Sequence, residues 1–365
     1  MKKKVVSLTV VLVALIAVFM AYHKSSPDRN NKKPIGVILP LTGSASAVGQ
    51  QIKQAITLAN KQLASPFQFE FLDSENNPAK AVSAYNQLHL SGDVPITICA
   101  MSGISKALSP LAKEKKRPLV CISTSIPVSS SPGDFVIRYF IDGASEANQM
   151  ATLMMSRKFQ RIAVIQINDE YGRVMYEAFK NQLGADGPQI VAHEYFDRTS
   201  TDFKPAASKI LAANLDAAYF IGYAQPLGIA IKHSVETGII CPIFSTFGFE
   251  VPGAREVAAG ACEGITYTSV RFGEGVQLTE VSKKFIEQFQ SEYHIRPSND
   301  AAFAFDLILN LQKMIDEGLA NAPERLAGAT VISQFGELTF SQNLEAKVPI
   351  IFKQLRQGTV FQIEQ

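Results

Sequence analysis

The alternation of strand-like and helix-like segments constrains this chain more than any other feature. Short apolar runs are separated by amphipathic helical stretches, and the first such runs read PIGVILPL, FQFEFLD, PITICA and RPLVCIS. After a loop rich in Ser, Pro and Gly, the pattern begins again with the runs RIAVIQIND, QIVAHEYF and DAAYFIGY. Regular alternation of this kind is typical of parallel sheets with helices on both faces. Two successive runs of it predict an α/β protein with two doubly wound parallel-sheet domains.

The helical stretches carry the apolar spacing expected of helices that pack on a sheet. The segment VGQQIKQAITLANKQL places its apolar residues on one face, and these are Ile52, Ala55, Ile56, Ala59 and Leu63. The last segment, from FGELTF to GTVFQI, predicts a hairpin or meander at the end of the chain. A length of 365 residues leaves room for both domains.

The N-terminal segment differs from the rest of the chain. Three lysines precede an unbroken apolar run over residues 5–21, and a polar linker covers residues 22–33. This layout predicts a signal peptide or an N-terminal membrane anchor, with the rest of the chain exported. A small-x-small cleavage site is not evident, since Phe19 stands two places before Ala21. Cleavage and retention therefore both stay open.

Composition and motifs exclude several functional classes. Lys and Arg are spread along the chain and the net charge is +2, so a nucleic-acid partner is not expected. Five residues separate Gly43 from Gly49 and no Lys follows, so the loop does not fit a phosphate-binding P-loop. Ser102 lies in AMSGIS rather than in G-x-S-x-G. The five histidines show no metal-ligand spacing, and we expect no metal and no cofactor.

The four cysteines indicate a mixture of buried thiols and one candidate pair. Cys99 and Cys121 lie in apolar strand-like runs and are expected to be buried thiols. Cys241 and Cys262 each begin an apolar run, and export would permit a disulfide between them across neighbouring strands.

Hydroxyl-bearing, acidic and aromatic side chains recur where the predicted strands end. They are Ser102, Ser123, Thr124, Ser125, Asp142, Tyr171, Tyr223 and Phe247. Taken singly, each is explained as a helix cap or turn residue. Because ligands of such folds bind beyond the carboxyl ends of the strands, together they predict a small-molecule cleft. Backbone N–H groups at the helix that begins near Ser102 would suit a carboxylate.

The sequence resembles the type I periplasmic solute-binding proteins of the branched-chain amino-acid class. The resemblance covers about residues 34–365 and rests on the order of several segments: IGVILPLTGSASAVGQQIKQAITLAN, FEFLDSENNPAKAV, the Ser102 loop, LVCISTSIP, RIAVIQINDEYGRVMYEAF, TDFKPAASKI, AAYFIGY and GELTFSQN. It implies two lobes joined by three crossovers that close on a ligand. The implied limits are 34–141 with 268–337 for lobe 1, and 142–267 with 338–365 for lobe 2.

The resemblance also implies roles for individual residues. Ser102 and the segment 123–125 would hold a ligand carboxylate from lobe 1, while Tyr171 and Tyr223 would cover the ligand from lobe 2. Val48 and Glu250 would lie at the cleft edge. The family commonly has an acidic residue, which pairs with the ligand ammonium, where this chain has Phe247. Either Glu250 or Asp142 substitutes for it, or the ligand lacks an α-amine.

The function that the resemblance implies is capture of an amino acid or related carboxylate and its delivery to an ABC permease in the inner membrane. A membrane-tethered sensor with the same fold is the alternative. An enzyme on this fold, or a member that no longer binds a ligand, is less well supported by the residues.

Overall fold

The computed structural model describes residues 33–90, 94–125 and 135–364. The apolar run at 5–21 and most of the Ser/Pro-rich loop after Ser125 lie outside the described residues, so the predicted leader or anchor is not addressed by the structure. In the described part of the chain, no helix combines the length and apolarity that crossing a membrane requires.

The first half of the chain builds a five-stranded sheet in the order β2-β1-β3-β4-β5, with every pairing parallel. Its strands are β1 Lys33–Leu39, β2 Phe67–Asp73, β3 Ile96–Ala100, β4 Leu119–Ile122 and β5 Val136–Arg138. Its helices are α1 Ser46–Gln62, α2 Pro78–Leu90 and α3 Ser102–Lys115. The predicted apolar face of α1 is buried at Ile52, Ala55, Ile56 and Ala59, as its spacing required.

A second sheet has seven strands in the order β15-β14-β10-β9-β8-β6-β7. Its strands are β6 Arg161–Ile167, β7 Gln189–Phe196, β8 Ala217–Ile221, β9 Ile243–Ser245, β10 Thr266–Ser269, β14 Ile351–Arg356 and β15 Thr359–Ile363. The helices of this part are α4 Gly143–Ser156, α5 Glu170–Leu183, α6 Lys204–Ala212, α7 Ala224–Thr237 and α8 Ala254–Ala258. β14 and β15 form an antiparallel hairpin against β10, so this sheet is mixed at one edge.

The segment between β10 and β14 returns to the first sheet. Helix α9 Glu280–Tyr293 and helix α10 Asn299–Asp316 follow β10, and α10 packs along α1. A small antiparallel sheet comes next, formed by β11 Thr330–Ser333, β12 Gly336–Phe340 and β13 Ala346–Lys347. The tail that the sequence predicted as one hairpin or meander is thus divided between two sheets.

The chain crosses between the two sheets three times, after β5, after β10 and after β13. We propose lobe limits at these crossings, near residues 141, 269 and 347. The second and third lie later than the limits at 267/268 and 337/338 expected from the resemblance, because β10 stays in the second sheet to Ser269 and β12 stays in the small sheet to Phe340.

The cysteines are all free thiols. Cys99 and Cys121 are buried and lie opposite each other on β3 and β4, with their sulfur atoms 3.7 Å apart. The disulfide that the sequence allowed between Cys241 and Cys262 is not formed. Cys241 precedes β9, whereas Cys262 ends a short 3-10 turn before β10.

Candidate functional site

A cavity of about 610 Å³, its mouth included, lies where the carboxyl ends of strands from both sheets meet. Its lining from the first lobe consists of Val48, Asn76, Met101, Ser102, Gly103, Ile122, Ser123, Thr124, Phe140 and Asp300. Its lining from the second lobe consists of Asp169, Glu170, Tyr171, Arg198, Tyr223, Phe247, Gly248 and Val251.

Seven of the residues singled out in the sequence line this cavity, namely Val48, Ser102, Ser123, Thr124, Tyr171, Tyr223 and Phe247. Ser125 is not in the lining, but its backbone N–H donates to the Ser102 hydroxyl at 3.3 Å. Asp142 and Glu250 lie outside the cavity. Contact of these side chains with a ligand stays a prediction.

The N-terminus of α3 forms the hydroxyl-rich side of the cavity. Met101 precedes the helix with a φ of 78°, a conformation that few non-glycine residues adopt, and provides no side-chain cap for it. The Ser102 hydroxyl lies 3.3 Å from that of Thr124. First-turn N–H groups and two hydroxyls therefore meet at one point, an arrangement that suits an anionic oxygen.

The loop between β1 and α1 contributes to packing rather than to phosphate binding. A side chain at Gly49 would place its Cβ 2.1 Å from the Pro40 carbonyl oxygen, so the first turn of α1 approaches the end of β1 more closely than other residues allow. Before that turn, the backbone N–H of Leu41 donates to the Asp73 carboxylate at 2.8 Å, and the Thr42 hydroxyl donates to it at 2.6 Å. The loop thereby brings Val48 to the edge of the cavity.

Two tyrosines form the wall from the second lobe. Tyr171 and Tyr223 pack edge to face with ring centroids 5.7 Å apart. The Tyr223 hydroxyl donates to the Asp169 carboxylate at 2.7 Å, and Asp169 also caps α5 by accepting from the Gly172 N–H. Burial raises the pKa of Asp169, although these hydrogen bonds and the nearby Arg198 act to lower it.

The backbone of Phe247 is held by the carboxylate of Glu146, a residue that the sequence analysis did not predict to be part of the site. The Phe247 N–H donates to Glu146 Oε1 at 2.7 Å, and the Thr268 hydroxyl donates to the same oxygen. Glu146 is fully buried, and burial raises its pKa to about 7. The acid nearest Phe247 therefore holds the backbone, while the Phe247 ring packs edge to face on Phe140 in the cavity wall.

The two acids considered as substitutes for a carboxylate at Phe247 both have partners within the described part of the chain. Asp142 caps α4 and forms an ion pair with Arg138 at 3.0 Å. Glu250 pairs with Lys353 at 2.8 Å and accepts a hydrogen bond from Asn299. Both carboxylates are held by partners of their own chain, and the cleft-edge role expected for Glu250 stays a prediction.

Two contacts join the lobes at the mouth of the cavity. Lys106 of α3 pairs with Glu170 of α5 at 2.9 Å. Arg198, which follows β7, donates to the backbone carbonyl of Asn76 at 2.8 Å. Asn76 and Arg198 were missed in the sequence because both lie in polar loops without a periodic signal. Across the described ranges, no group of three His, Cys, Asp or Glu side chains is placed to hold a metal ion.

A sequence profile of the family described as periplasmic binding protein matches residues 33–357 of the chain. Among curated relatives, Leu/Ile/Val-binding protein homolog 3 of Brucella melitensis is 24% identical over 246 residues, covering 65% of this chain and 67% of that protein. Leu/Ile/Val-binding protein BraC3 of Rhizobium johnstonii is 25% identical over 267 residues, covering 71% and 73%.

Solved structures share the fold over nearly the whole length. A leucine-binding protein, LivK of Thermotoga maritima, superposes with a TM-score of 0.79 at 23% identity and covers 91% of this chain and 97% of its own. A solute-binding protein of an ABC transporter from R. palustris, in complex with benzoate, gives 0.81 at 18% identity and covers 91% and 95%. With the two sheets, the three crossings and the family profile in agreement, the chain belongs to the periplasmic binding protein family, as a type I member of its branched-chain amino-acid class.

Proposed function

We propose that the protein is an extracytoplasmic solute-binding protein that captures a small carboxylate-bearing ligand, such as an amino acid, and delivers it to an ABC importer. The observation that carries this proposal is the cavity lined from both lobes. The α3 N-terminus with Ser102 and Thr124 faces it from one lobe, and Tyr171 with Tyr223 faces it from the other. A carboxylate held by the first lobe would thus be covered by rings of the second.

The mechanism that we propose is closure of the two lobes around the ligand. A ligand that touches both lobes favours the closed state by as much as its contacts differ between the open and closed states. The Lys106–Glu170 pair and the Arg198 bond to Asn76 join the lobes at the mouth, so opening would break both. The three crossings would act as the hinge.

The apolar part of the lining determines the size and the polarity of the ligand group that packs against it. Six apolar side chains line the cavity, and they are Val48, Met101, Ile122, Phe140, Phe247 and Val251. They would pack against an aliphatic or aromatic group. Relatives with this fold are named for leucine, isoleucine and valine, and one was crystallised with benzoate. Solute-binding proteins do not convert their ligands, and we infer that this chain releases its ligand unchanged.

The proposal is tested by calorimetric and thermal-shift titration of the purified full chain. The panel holds aliphatic and aromatic amino acids, their amine-free analogues, amides and small peptides. A ligand present well above its Kd raises the melting temperature. At a ligand concentration of 100 times the Kd, the free energy of unfolding increases by about 2.7 kcal/mol. Binding of a carboxylate, and its recovery unchanged, supports the proposal. No binding by any member of the panel contradicts it.

The alternative function is a sensor tethered to the outer face of the cytoplasmic membrane by residues 5–21. It is favoured by the apolar run that lacks an evident cleavage site. Mass determination of the protein recovered from cells separates the two functions, because an importer's soluble component loses this run whereas a tethered sensor keeps it. Uptake of the bound ligand, compared with and without the chain, then tests delivery to a permease.

A further inference from the structure

Asp300 is a buried acid of the cavity whose carboxylate has no side-chain partner among the described residues. It lies in the first turn of α10, lines the cavity and is only 8% exposed. Among the residues that the structure describes, none donates a side-chain hydrogen bond or forms an ion pair with its carboxylate. Burial raises the pKa of Asp300 to about 6, with only its own backbone acting against that. Burying a carboxylate without a partner is unfavourable, so its position calls for an explanation.

The other acids of the lining differ from Asp300 because each is already paired. Asp169 accepts hydrogen bonds from Tyr223 and Gly172. Glu170 forms ion pairs with Lys106 at 2.9 Å and with Arg173 at 2.6 Å. A cation that enters the cavity therefore finds its free carboxylate at Asp300.

The position of Asp300 in the fold places it across the cavity from the hydroxyl-rich side. Successive residues of a strand point to opposite faces of a sheet. Helix α3 packs with Ile38, Cys99 and Cys121 on one face of the first sheet. Helix α10 packs in the core that contains Val37, Ile98 and Ile122, on the other face. The N-termini of α3 and α10 thus approach the cavity from opposite faces of the sheet.

Aromatic rings line the same cavity as Asp300. Phe303, one turn further along α10, packs on Phe140 with ring centroids 4.5 Å apart, and Phe140 packs on Phe247. Phe140 and Phe247 both line the cavity. Ring faces attract ammonium groups, so a cavity lined by these rings and by a carboxylate is a favourable environment for a desolvated cation.

We propose that the cavity is dipolar and selects a ligand with a carboxylate at one end and a cationic nitrogen at the other, and that Asp300 receives the nitrogen. This rests on the proposed function and names its ligand class: a straight-chain ω-amino acid or an amino acid with a basic side chain. Ser102 and Thr124 hold the carboxylate, the apolar side chains pack on the methylene groups, and the ammonium group reaches Asp300. The absence of an acid at Phe247 is then consistent with a cation bound at the other end.

A different explanation for Asp300 is that its charge stabilises the N-terminus of α10, where acidic residues are favourable. The substitution Asp300→Asn separates the two. A purely structural acid predicts a lower melting temperature for the ligand-free variant and no change in ligand preference. The ligand-binding role predicts an equal or higher melting temperature and a lost preference for cationic ligands.

The experiment is calorimetric titration of the full chain and of Asp300→Asn with 5-aminopentanoate and L-lysine, and with their amine-free or apolar counterparts pentanoate and L-norleucine. Glu280→Gln is the matched control, because Glu280 lies in the first turn of α9, outside the cavity. We expect the wild type and the control to prefer the cationic member of at least one pair. Asp300→Asn should lower that affinity about 10- to 100-fold and leave the amine-free compound within about twofold.

The outcomes separate this inference from the proposed function. Equal binding by the wild type within both pairs, or tighter binding of benzoate or L-leucine that Asp300→Asn does not change, leaves the proposed function standing and overturns the inference. An Asp300→Asn variant that keeps its preference for the cationic compound also overturns it. Failure of the wild type to bind any carboxylate contradicts the proposed function, and this inference falls with it.

Discussion

Glu250 and Asp300 are two carboxylates at the same junction of the lobes, but they differ in the hydrogen-bond partners that surround them. Glu250 accepts hydrogen bonds from Tyr267, Ser269, Asn299 and Lys353 at 2.5–3.1 Å. Asn299 is the residue immediately before Asp300, yet no described side chain donates to Asp300. The first carboxylate is satisfied by its neighbours, whereas the second faces the cavity without such a partner.

A buried charge has different consequences according to whether the chain supplies its partners. A charge whose partners all belong to the chain ties elements together, and Glu250 joins β10, β14 and α10 in this way. A buried charge without partners makes the free protein less stable, which is the usual cost of a site organised for binding. Four predictions test or sharpen this contrast.

The largest effect is expected at Glu250. Glu250→Gln removes the charge opposite Lys353, whose side chain is fully buried. Leaving one member of a buried pair uncompensated costs about 3–5 kcal/mol. Urea denaturation of the ligand-free protein measures the loss. Glu274→Gln is the control, since Glu274 is 46% exposed and pairs with Arg255 at the surface, where less than about 1 kcal/mol is expected. A loss at Glu250 no greater than the control's would contradict a structural role for this network.

Asp300→Asn should act in the opposite direction, raising the stability of the ligand-free protein by up to about 3 kcal/mol at pH 7.5. The pKa of Asp300 in the folded protein is about 6, above its ordinary value of 3.8. The folded state therefore binds the proton more tightly, and the wild type loses stability as the pH rises through 6. Melting curves of both proteins from pH 4 to pH 7.5 should coincide at the acidic end and diverge towards neutrality. A constant difference would mean that Asp300 does not titrate as described.

Ser102→Ala should weaken ligand binding by about 1–3 kcal/mol, because it removes a hydrogen bond to a charged group. Ser109→Ala is the matched control, as Ser109 lies on the same helix and donates its hydroxyl proton to the Ser105 carbonyl, away from the cavity. Calorimetric titration with the best ligand of the panel gives both values. Equal affinity in the two variants would remove Ser102 from the binding site.

The smallest effect is expected at the mouth of the cavity. Lys106→Met removes the ion pair with Glu170 across the lobes, but Lys106 is 54% exposed and Arg173 still neutralises Glu170. Exposed pairs contribute about 0.2–1 kcal/mol, so the affinity should fall by no more than about fivefold. Lys283→Met, which breaks an exposed pair within α9, is the control and should leave binding unchanged. A tenfold or greater loss for Lys106→Met would show that lobe closure depends on this pair more than its exposure indicates.

Much of the architecture was predictable because its signals are local. Period-two and period-3.6 apolar patterns indicated β1–β4, β6–β8 and helices between them, and the buried face of α1 followed from the spacing of four residues. Strand ends could be located in the same way. Since the carboxyl ends of parallel strands meet at one edge, the hydroxyl and tyrosine residues of both lobes were expected near one cleft, and the structure places most of them there.

The arrangement of charges was not predictable, because partners lie far apart in the chain. Glu250 and Lys353 are separated by 103 positions, and their pairing depends on β14 returning to the second sheet after the third crossing. Glu146 and Phe247 are 101 positions apart. In the sequence, Asp300 has the position of an ordinary acidic residue in the first turn of a helix. Only the packing of α10 along α1 brings it into the cavity.

The sequence by itself thus determined the alternation of elements, the two-lobed fold and the strand ends where a ligand would bind, since these depend on periodicity and on short-range backbone preferences. The tertiary structure alone decided which buried carboxylates are paired. Pairing is set by distances between residues that the three crossings bring together, and burial acts on a charge only once those neighbours surround it.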